Sequence, residues 1–229
     1  MSKPLLVAID LGAESCRVSL LRWSRQAPQA SVVHRFANAP VSRGGSLYWD
    51  LEAISRGVEK GLRLCAEIAG NQKIAAIGID GWAVDYVRLK PYGSPVADPF
   101  CYRDERTVEA AARVHETVTQ ERLYGLTGIQ FLRLNTIYQL YADGMAGIDR
   151  GTPWVNLPEY ITHRLGGDRV AEYTNATHTG LVDASTKQWN KEIFSALGLD
   201  LAAAPPIVTP GTRVGRLSGA LAKLQGARP

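Results

Sequence analysis

Apolar positions along this chain follow two rhythms. Residues 4–10 form a short apolar run that ends in the acid Asp10, as a buried strand does. Residues 11–15 read as a turn around Gly12, residues 17–23 as a second strand, and residues 29–36 as a third. The two tight connections predict an antiparallel meander. From residue 50 to 69 the rhythm changes. Leu51, Ile54, Val58, Leu62 and Cys65 recur at three- and four-residue spacing, one buried stripe of a helix with Asp50 as N-cap and Gly70 as stop. Residues 73–80 are another apolar run closed by an acid, Asp80, and residues 83–89 a further strand before a turn at Tyr92-Gly93-Ser94-Pro95. Helices are predicted near 105–118, 136–144 and 189–197, with a less regular stretch over 152–185. The tail, 202–229, gathers prolines and shows no closing element.

Strands, a helix, strands and then helices predict an α/β domain whose sheet is mixed rather than purely parallel. The common nucleotide loops G-x-G-x-x-G and G-x-x-x-x-G-K-[ST] are absent. A length of 229 residues suits one large domain or two small ones, and 45% hydrophobic with 21% charged residues is ordinary for a globular protein. The net charge of +4 comes without a dense basic stripe, which argues against nucleic acid as a partner. Cys16, Cys65 and Cys101 are odd in number and far apart, so they fit neither a disulfide framework nor a zinc spacing. The sequence shows no signal peptide and no apolar run of membrane-spanning length, so a cytoplasmic protein is expected.

Four segments carry candidate chemistry. In Asp10-Leu11-Gly12-Ala13-Glu14-Ser15-Cys16-Arg17, a tight turn between strands can aim backbone N–H groups at a phosphate. Gly12 would supply an unusual backbone conformation, Asp10 could hold a water of hydrated Mg²⁺, and Ser15 and Arg17 could bond phosphoryl oxygens. An ordinary hairpin with an exposed acid is the alternative. In Gly78-Ile79-Asp80-Gly81-Trp82-Ala83-Val84-Asp85-Tyr86, a tryptophan between two small residues suits a sugar pocket or a packed turn with a core ring. Cys101-Tyr102-Arg103-Asp104-Glu105-Arg106-Thr107, at a helix entrance, fits either polyhydroxyl recognition or a surface ion-pair cluster with an Asp cap. Thr127-Gly128-Ile129-Gln130-Phe131 precedes Asn135, which could cap the next helix or reach a ligand. Asp10, Asp80, Asp85 and Asp104 could also form a two-metal carboxylate site of a nuclease.

Together and in this order, these segments resemble the FGGY carbohydrate kinases, and within them the branch acting on L-rhamnulose. Asp10 to Arg17 is similar to the family's phosphate loop. Arg35-Phe36-Ala37-Asn38 and Trp49-Asp50 match segments before its first helix, and Gly78 to Asp85, Tyr102 to Thr107 and Thr127 to Phe131 match later motifs. Asn135-Thr136, Tyr138-Gln139-Leu140, Glu172-Tyr173-Thr174-Asn175-Ala176-Thr177 and Pro210-Gly211-Thr212 continue the likeness over nearly the whole chain. The departures are Cys16 in place of a usual Gly, Gly81 and Ala83 in place of Thr and Gly, Lys90 in place of Asp, and Leu157-Pro158-Glu159-Tyr160 in place of Met-Pro-Asp-Tyr.

The resemblance implies a ribonuclease H-like, actin-like N-terminal domain over 1–229, with a mixed sheet flanked by helices and a tail from about 202 leading to a second domain. It implies ATP phosphates at Asp10, Gly12, Ala13, Glu14, Ser15, Cys16 and Arg17, with Mg²⁺ held by Asp10 through water. It implies a ketose at Gly81, Trp82 and Ala83, with Arg103, Asp104 and Asn135 as further contacts. The reaction would be γ-phosphoryl transfer from ATP, giving L-rhamnulose 1-phosphate. The resemblance assigns the adenine site and the catalytic base, the Asp of a His-Asp-Thr segment, to the C-terminal kinase domain beyond Pro229. Residues 1–229 alone are therefore expected to turn over little or not at all, and a non-catalytic sugar-binding or regulatory half-domain is the alternative.

Overall fold

The computed structural model describes residues 3–24 and 27–224. The meander is present. β1 (Leu5–Leu11) pairs antiparallel with β2 (Ser15–Ser24), and β2 with β3 (Ala27–Ala37). A short hairpin, β4 (Val41–Arg43) and β5 (Ser46–Tyr48), leads into α1 (Leu51–Ala69). β6 (Ile74–Gly81) then joins the other side of β1 in parallel, giving a mixed sheet of order β3-β2-β1-β6.

One core lies between this sheet and α1. Leu5, Val7, Ile9 and Leu11 alternate inward from β1, Cys16, Val18 and Leu20 from β2, and the predicted stripe of α1 meets them. Asp50 caps α1 as expected, accepting from the Ala53 amide at 2.8 Å. Gly57 and Gly61 sit inside the helix, where each costs about 1 kcal/mol relative to alanine. A Cβ at either would strike Phe36 or Val18, so the absent side chains let α1 lie close on the sheet.

A second core is helical. α2 (Thr107–Thr117), α3 (Gln120–Thr127), α4 (Thr136–Met145) and α7 (Lys191–Ala196) surround Val114, Ile137, Tyr138, Trp154, Leu181 and Phe194. Between the cores, β7 (Tyr86–Arg88) pairs antiparallel with β8 (Trp154–Asn156), which runs directly into α5 (Leu157–Arg164).

Three predictions need correction. The strand expected over 83–89 is reduced to β7 and does not join the main sheet, because Val84 has a φ of 75°, far outside extended geometry. The stretch 152–185 is more regular than expected. It holds β8, α5, β9 (Ala171–Glu172) and α6 (Tyr173–Thr177), and Pro158 falls in the first turn of α5, where its missing N–H costs nothing. The tail does pack. β10 (Ile207–Val208) pairs with β9, the Ser218 amide donates to the Leu165 carbonyl, and Leu221 is buried against the first core. Residues 225–229 of that tail lie outside the described residues.

Candidate functional site

The parallel pairing of β1 with β6 sets the geometry. Asp10 stands opposite Asp80 and Leu11 opposite Gly81, so both strands end at the same level and their turns leave side by side. The Trp82 amide donates to the Leu11 carbonyl at 3.0 Å, tying the two turns together. Gly81 makes this approach possible. A Cβ there would lie 2.9 Å from both Leu11 Cβ and Pro158 Cγ.

In the first turn, Arg17 faces Asp10 across the β1–β2 ladder, and its Nη1 donates to Asp10 Oδ2 at 2.7 Å. The Asp10 side chain is 55% exposed, so a water shell can reach it. Ala13, Glu14 and Ser15 follow at or near the surface. Two residues quoted only as part of a likeness brace this turn. Arg35 Nη2 donates to Ser15 Oγ at 3.1 Å, and Asn38 Nδ2 donates to the Gly12 carbonyl at 3.0 Å. The Asn38 amide adds a bond to the Glu14 carbonyl at 3.0 Å.

Two expectations here are corrected. Gly12 is not in the left-handed region; it is needed because a Cβ would collide with the Ser15 carbonyl oxygen. Cys16 points into the core and donates to the Gly12 carbonyl, with burial pushing its thiol up to about 11. Its side chain does not face the loop, so only its main chain could contribute to phosphate binding.

In the second turn, Gly81, Trp82 and Ala83 are partly exposed, and the next residues are buried. Asp85 is fully buried and accepts four hydrogen bonds. Trp49 Nε1 at 2.5 Å, Trp82 Nε1 at 2.9 Å and the Tyr102 amide at 3.3 Å reach its Oδ2, and Gln139 Nε2 reaches its Oδ1 at 3.1 Å. Burial pushes this carboxyl up to about 6, against the opposing pull of those donors. The Trp49 and Trp82 rings pack with centroids 4.6 Å apart. The backbone of this turn is gripped from outside. Thr136 Oγ1 donates to the Val84 carbonyl at 2.7 Å, and the Leu157 amide to the Asp85 carbonyl at 2.9 Å.

The third segment divides. Arg103 is exposed and stacks its guanidinium 5.3 Å from the Tyr102 ring, with no hydrogen bond or ion pair from that group among the described residues. It is available to a ligand. Asp104 and Asn135 are committed elsewhere. Asp104 is buried and accepts from the Leu47 amide at 2.7 Å and the Arg106 amide at 2.9 Å. Asn135 is buried and does not cap α4 through its side chain. It accepts from the Leu132 amide at 3.1 Å and donates to the His178 carbonyl at 2.9 Å. Both hold the scaffold around the site in this state.

Sequence reasoning missed the polar cluster behind the site. Asp143, on α4, is buried and accepts from Tyr86 Oη, Arg88 Nε and Arg106 Nη1, each at 2.6 Å. The signal was there: Thr136, Gln139 and Asp143 continue one helical stripe among Ile137 and Leu140, and an acid on a buried stripe requires partners. The two-metal carboxylate site is overturned. Asp85 faces neutral donors, Asp104 faces backbone amides, and no group of three or more His, Cys, Asp or Glu able to hold a metal exists among the described residues.

Residues 5–229 match the model of the FGGY family of carbohydrate kinases, N-terminal domain. The chain is 39% identical over 214 residues to the rhamnulokinase of Halalkalibacterium halodurans, covering 92% of this chain and 45% of that protein. To the rhamnulokinase of Bacteroides thetaiotaomicron it is 33% identical over 222 residues, covering 96% and 45%. The chain thus spans less than half the length of these curated relatives. Among solved structures, the ligand-bound xylulose kinase from Lactobacillus acidophilus superimposes with a TM-score of 0.85 at 18% identity, over 98% of this chain and 46% of that one. Plasmodium falciparum glycerol kinase with ADP gives a TM-score of 0.80 at 17% identity, over 96% and 46%. These likenesses establish the ribonuclease H-like fold of sugar kinases. Among the described residues, no helix is long and apolar enough to cross a membrane.

Proposed function

Because the chain belongs to the FGGY family of carbohydrate kinases, we propose that it forms the sugar-side half of an ATP-dependent kinase that converts L-rhamnulose to L-rhamnulose 1-phosphate. The observation that carries this reading is the junction of the two turns, Trp82 N–H to Leu11 C=O at 3.0 Å. A phosphate held at one turn and a hydroxyl held at the other would meet across that junction. Phosphoryl transfer depends on such positioning and on charge neutralisation far more than on covalent help from the protein.

The geometry supports a role for each part of the site. The main chain from Gly12 to Ser15, braced by Arg35 and Asn38, would face the phosphates. Arg17 adds positive charge beside them and also holds Asp10. The exposed Asp10 carboxylate, with Asp80 opposite it, suits Mg²⁺, which keeps several waters and takes most of its other ligands from phosphate. Bound there, the ion would neutralise charge on the transferred group. The partly exposed Trp82, the small residues Gly81 and Ala83, and the Arg103 guanidinium, unpaired among the described residues, would receive the ketose. The base that orients the attacking hydroxyl and the adenine site are assigned to the C-terminal kinase domain, and a cytoplasmic location suits the ATP requirement.

Calorimetric titration of residues 1–229 with L-rhamnulose tests the reading. Saturable one-to-one binding is expected, weaker for D-xylulose and absent for glycerol, with ADP release from Mg·ATP near background. No binding at millimolar ketose, or equal binding of all three compounds, would contradict it.

A further inference from the structure

Asp85 occupies an unusual place. A fully buried carboxylate is costly, and four neutral donors converge on it from four parts of the chain. Trp49 comes from the segment before α1, Trp82 from the turn after β6, Tyr102 from the segment before α2, and Gln139 from α4. The neighbouring residue, Val84, is held at a φ of 75°, which a β-branched residue adopts only when its surroundings enforce it. Thr136 Oγ1 and Gln139 Nε2 both donate to the Val84 carbonyl, at 2.7 and 3.2 Å. The turn carrying Trp82 is therefore fixed by its side chain and by its backbone, from α4 and from the two aromatic neighbours.

We propose that Asp85 is a positioning residue for the ketose: its carboxylate locks the Trp82 indole against Trp49 and ties that ring to the Tyr102–Arg103 segment. The proposal rests on the reading that Trp82 faces the sugar. Oδ2 alone collects both indoles and the Tyr102 amide, so one atom sets the spacing between Trp82 and the Arg103 segment. Gln139 fixes the other oxygen. Its own orientation is set because Oε1 faces Arg106 Nη2 at 3.5 Å while Nε2 faces Asp85, Val84 and Leu134.

Asparagine cannot replace this group. Placed with its oxygen toward the indoles, its amide would point its N–H groups at the Gln139 donor; flipped, it would turn them on the indoles. Protonation of Asp85 creates the same conflict in milder form, because one oxygen then becomes a donor. The groups facing Asp85 directly are neutral: two indoles, a main-chain amide and a carboxamide. Cys101 lies nearby with its thiol pushed up to about 11 by burial, and Arg103 and Asp104 continue that segment. Beyond Gln139 stands the Arg106–Asp143–Arg88 cluster.

The sign of the linkage separates positioning from folding. The Asp85 carboxyl is raised to about 6 in the fold from an ordinary 3.8. Between those values the folded chain binds more protons than the unfolded one, so this group makes the fold more stable as pH falls and less stable as pH rises through 6. Glu159, raised to about 7 by burial, acts in the same direction but touches neither indole. A merely structural role predicts that stability rises on acidification while ligand affinity stays flat. The positioning role predicts that they move apart.

The test is L-rhamnulose calorimetry, tryptophan emission and thermal melting of residues 1–229, wild type and Asp85→Asn, from pH 5 to pH 8. For wild type, affinity is expected to fall by up to about tenfold on acidification to pH 5 with a midpoint near 6, while the melting temperature rises and the emission shifts with the same midpoint. Asp85→Asn is expected to bind at the weak level at every pH and to show no emission shift. A wild-type affinity that is flat across the range, or an Asp85→Asn affinity equal to wild type at pH 7.5, would overturn the proposal. If Asp85→Asn does not fold, the wild-type titration decides. If wild type binds no L-rhamnulose, the kinase reading fails by itself. The emission data then judge Asp85 alone: a shift absent from the variant upholds the lock on Trp82, and the same shift in both overturns it.

Discussion

Asp143→Ala is expected to be the most damaging single substitution in the second core. It would leave the Arg88 and Arg106 guanidinium groups, whose side chains are 9% and 14% exposed, without their shared carboxylate. Breaking a buried ion pair from one side costs about 3–5 kcal/mol. Tyr86 Oη loses its acceptor as well. The cluster joins β7, α4 and the segment entering α2, so the loss acts on the frame that holds Gln139 behind Asp85. Urea unfolding should show a free energy lowered by that amount, seen as a lower midpoint with an unchanged slope. Replacing all three charged groups together, Arg88→Met, Asp143→Leu and Arg106→Met, should recover most of the stability, because no buried charge is then left alone. A loss below about 1 kcal/mol in Asp143→Ala would mean that the arginines behave as surface groups.

Gly81→Val is expected to separate the two turns. The new Cβ meets Leu11 on one side and Pro158 on the other, at 2.9 Å each, and neither can yield without moving β1 or α5. Overpacking of this kind costs about 1–3 kcal/mol. A functional loss should accompany it, because the displaced backbone carries the Trp82–Leu11 bond. L-Rhamnulose affinity should fall by about tenfold, equivalent to roughly 1.4 kcal/mol, or more. Gly78→Ala, three residues earlier on the same strand, has nothing within 4 Å of its added Cβ and should leave both stability and affinity unchanged. Equal behaviour of the two variants would show that the contact between turns is dispensable.

The frame of this domain was legible wherever one rhythm of side chains persisted. The apolar runs ending at Asp10 and Asp80 became neighbouring parallel strands, and the stripe from Leu51 to Cys65 became the buried face of α1. What escaped was structure fixed by contacts distant in sequence. α3 buries Leu123 and Thr127 and little else, too few positions to set a period. α5 begins Leu157-Pro158, which reads as a break unless Asn156 is known to end a strand just before it. The strand expected over 83–89 fails at Val84, whose conformation is imposed by Thr136 and Gln139 from fifty residues away.

The candidate site shows the same division. Two of the candidate segments lie side by side, since both turns follow strands that pair. Individual side chains were harder to assign, because a polar residue in a motif serves a ligand or the scaffold with the same chemistry. Asp104 and Asn135 have their polar atoms engaged by backbone groups, while Arg103, next to Asp104, stays open among the described residues. Cys16 alternates inward on β2 with Val18 and Leu20, and that alternation could have placed its thiol in the core. Asp85, Gln139 and Asp143 do their work from behind the surface, where a motif gives no hint of which partners converge.

The most direct measurement of a ligand site at the junction of the two turns is nuclear magnetic resonance of the ¹⁵N-labelled chain titrated with L-rhamnulose. Shifts are expected of the Trp82 indole N–H and of amides in both turns, Gly12 to Ser15 and Gly81 to Ala83, while the Trp189 indole, bonded to the Pro205 carbonyl in the other core, stays in place. Binding that leaves Trp82 unmoved, or that shifts signals on a different face of the sheet, would contradict it.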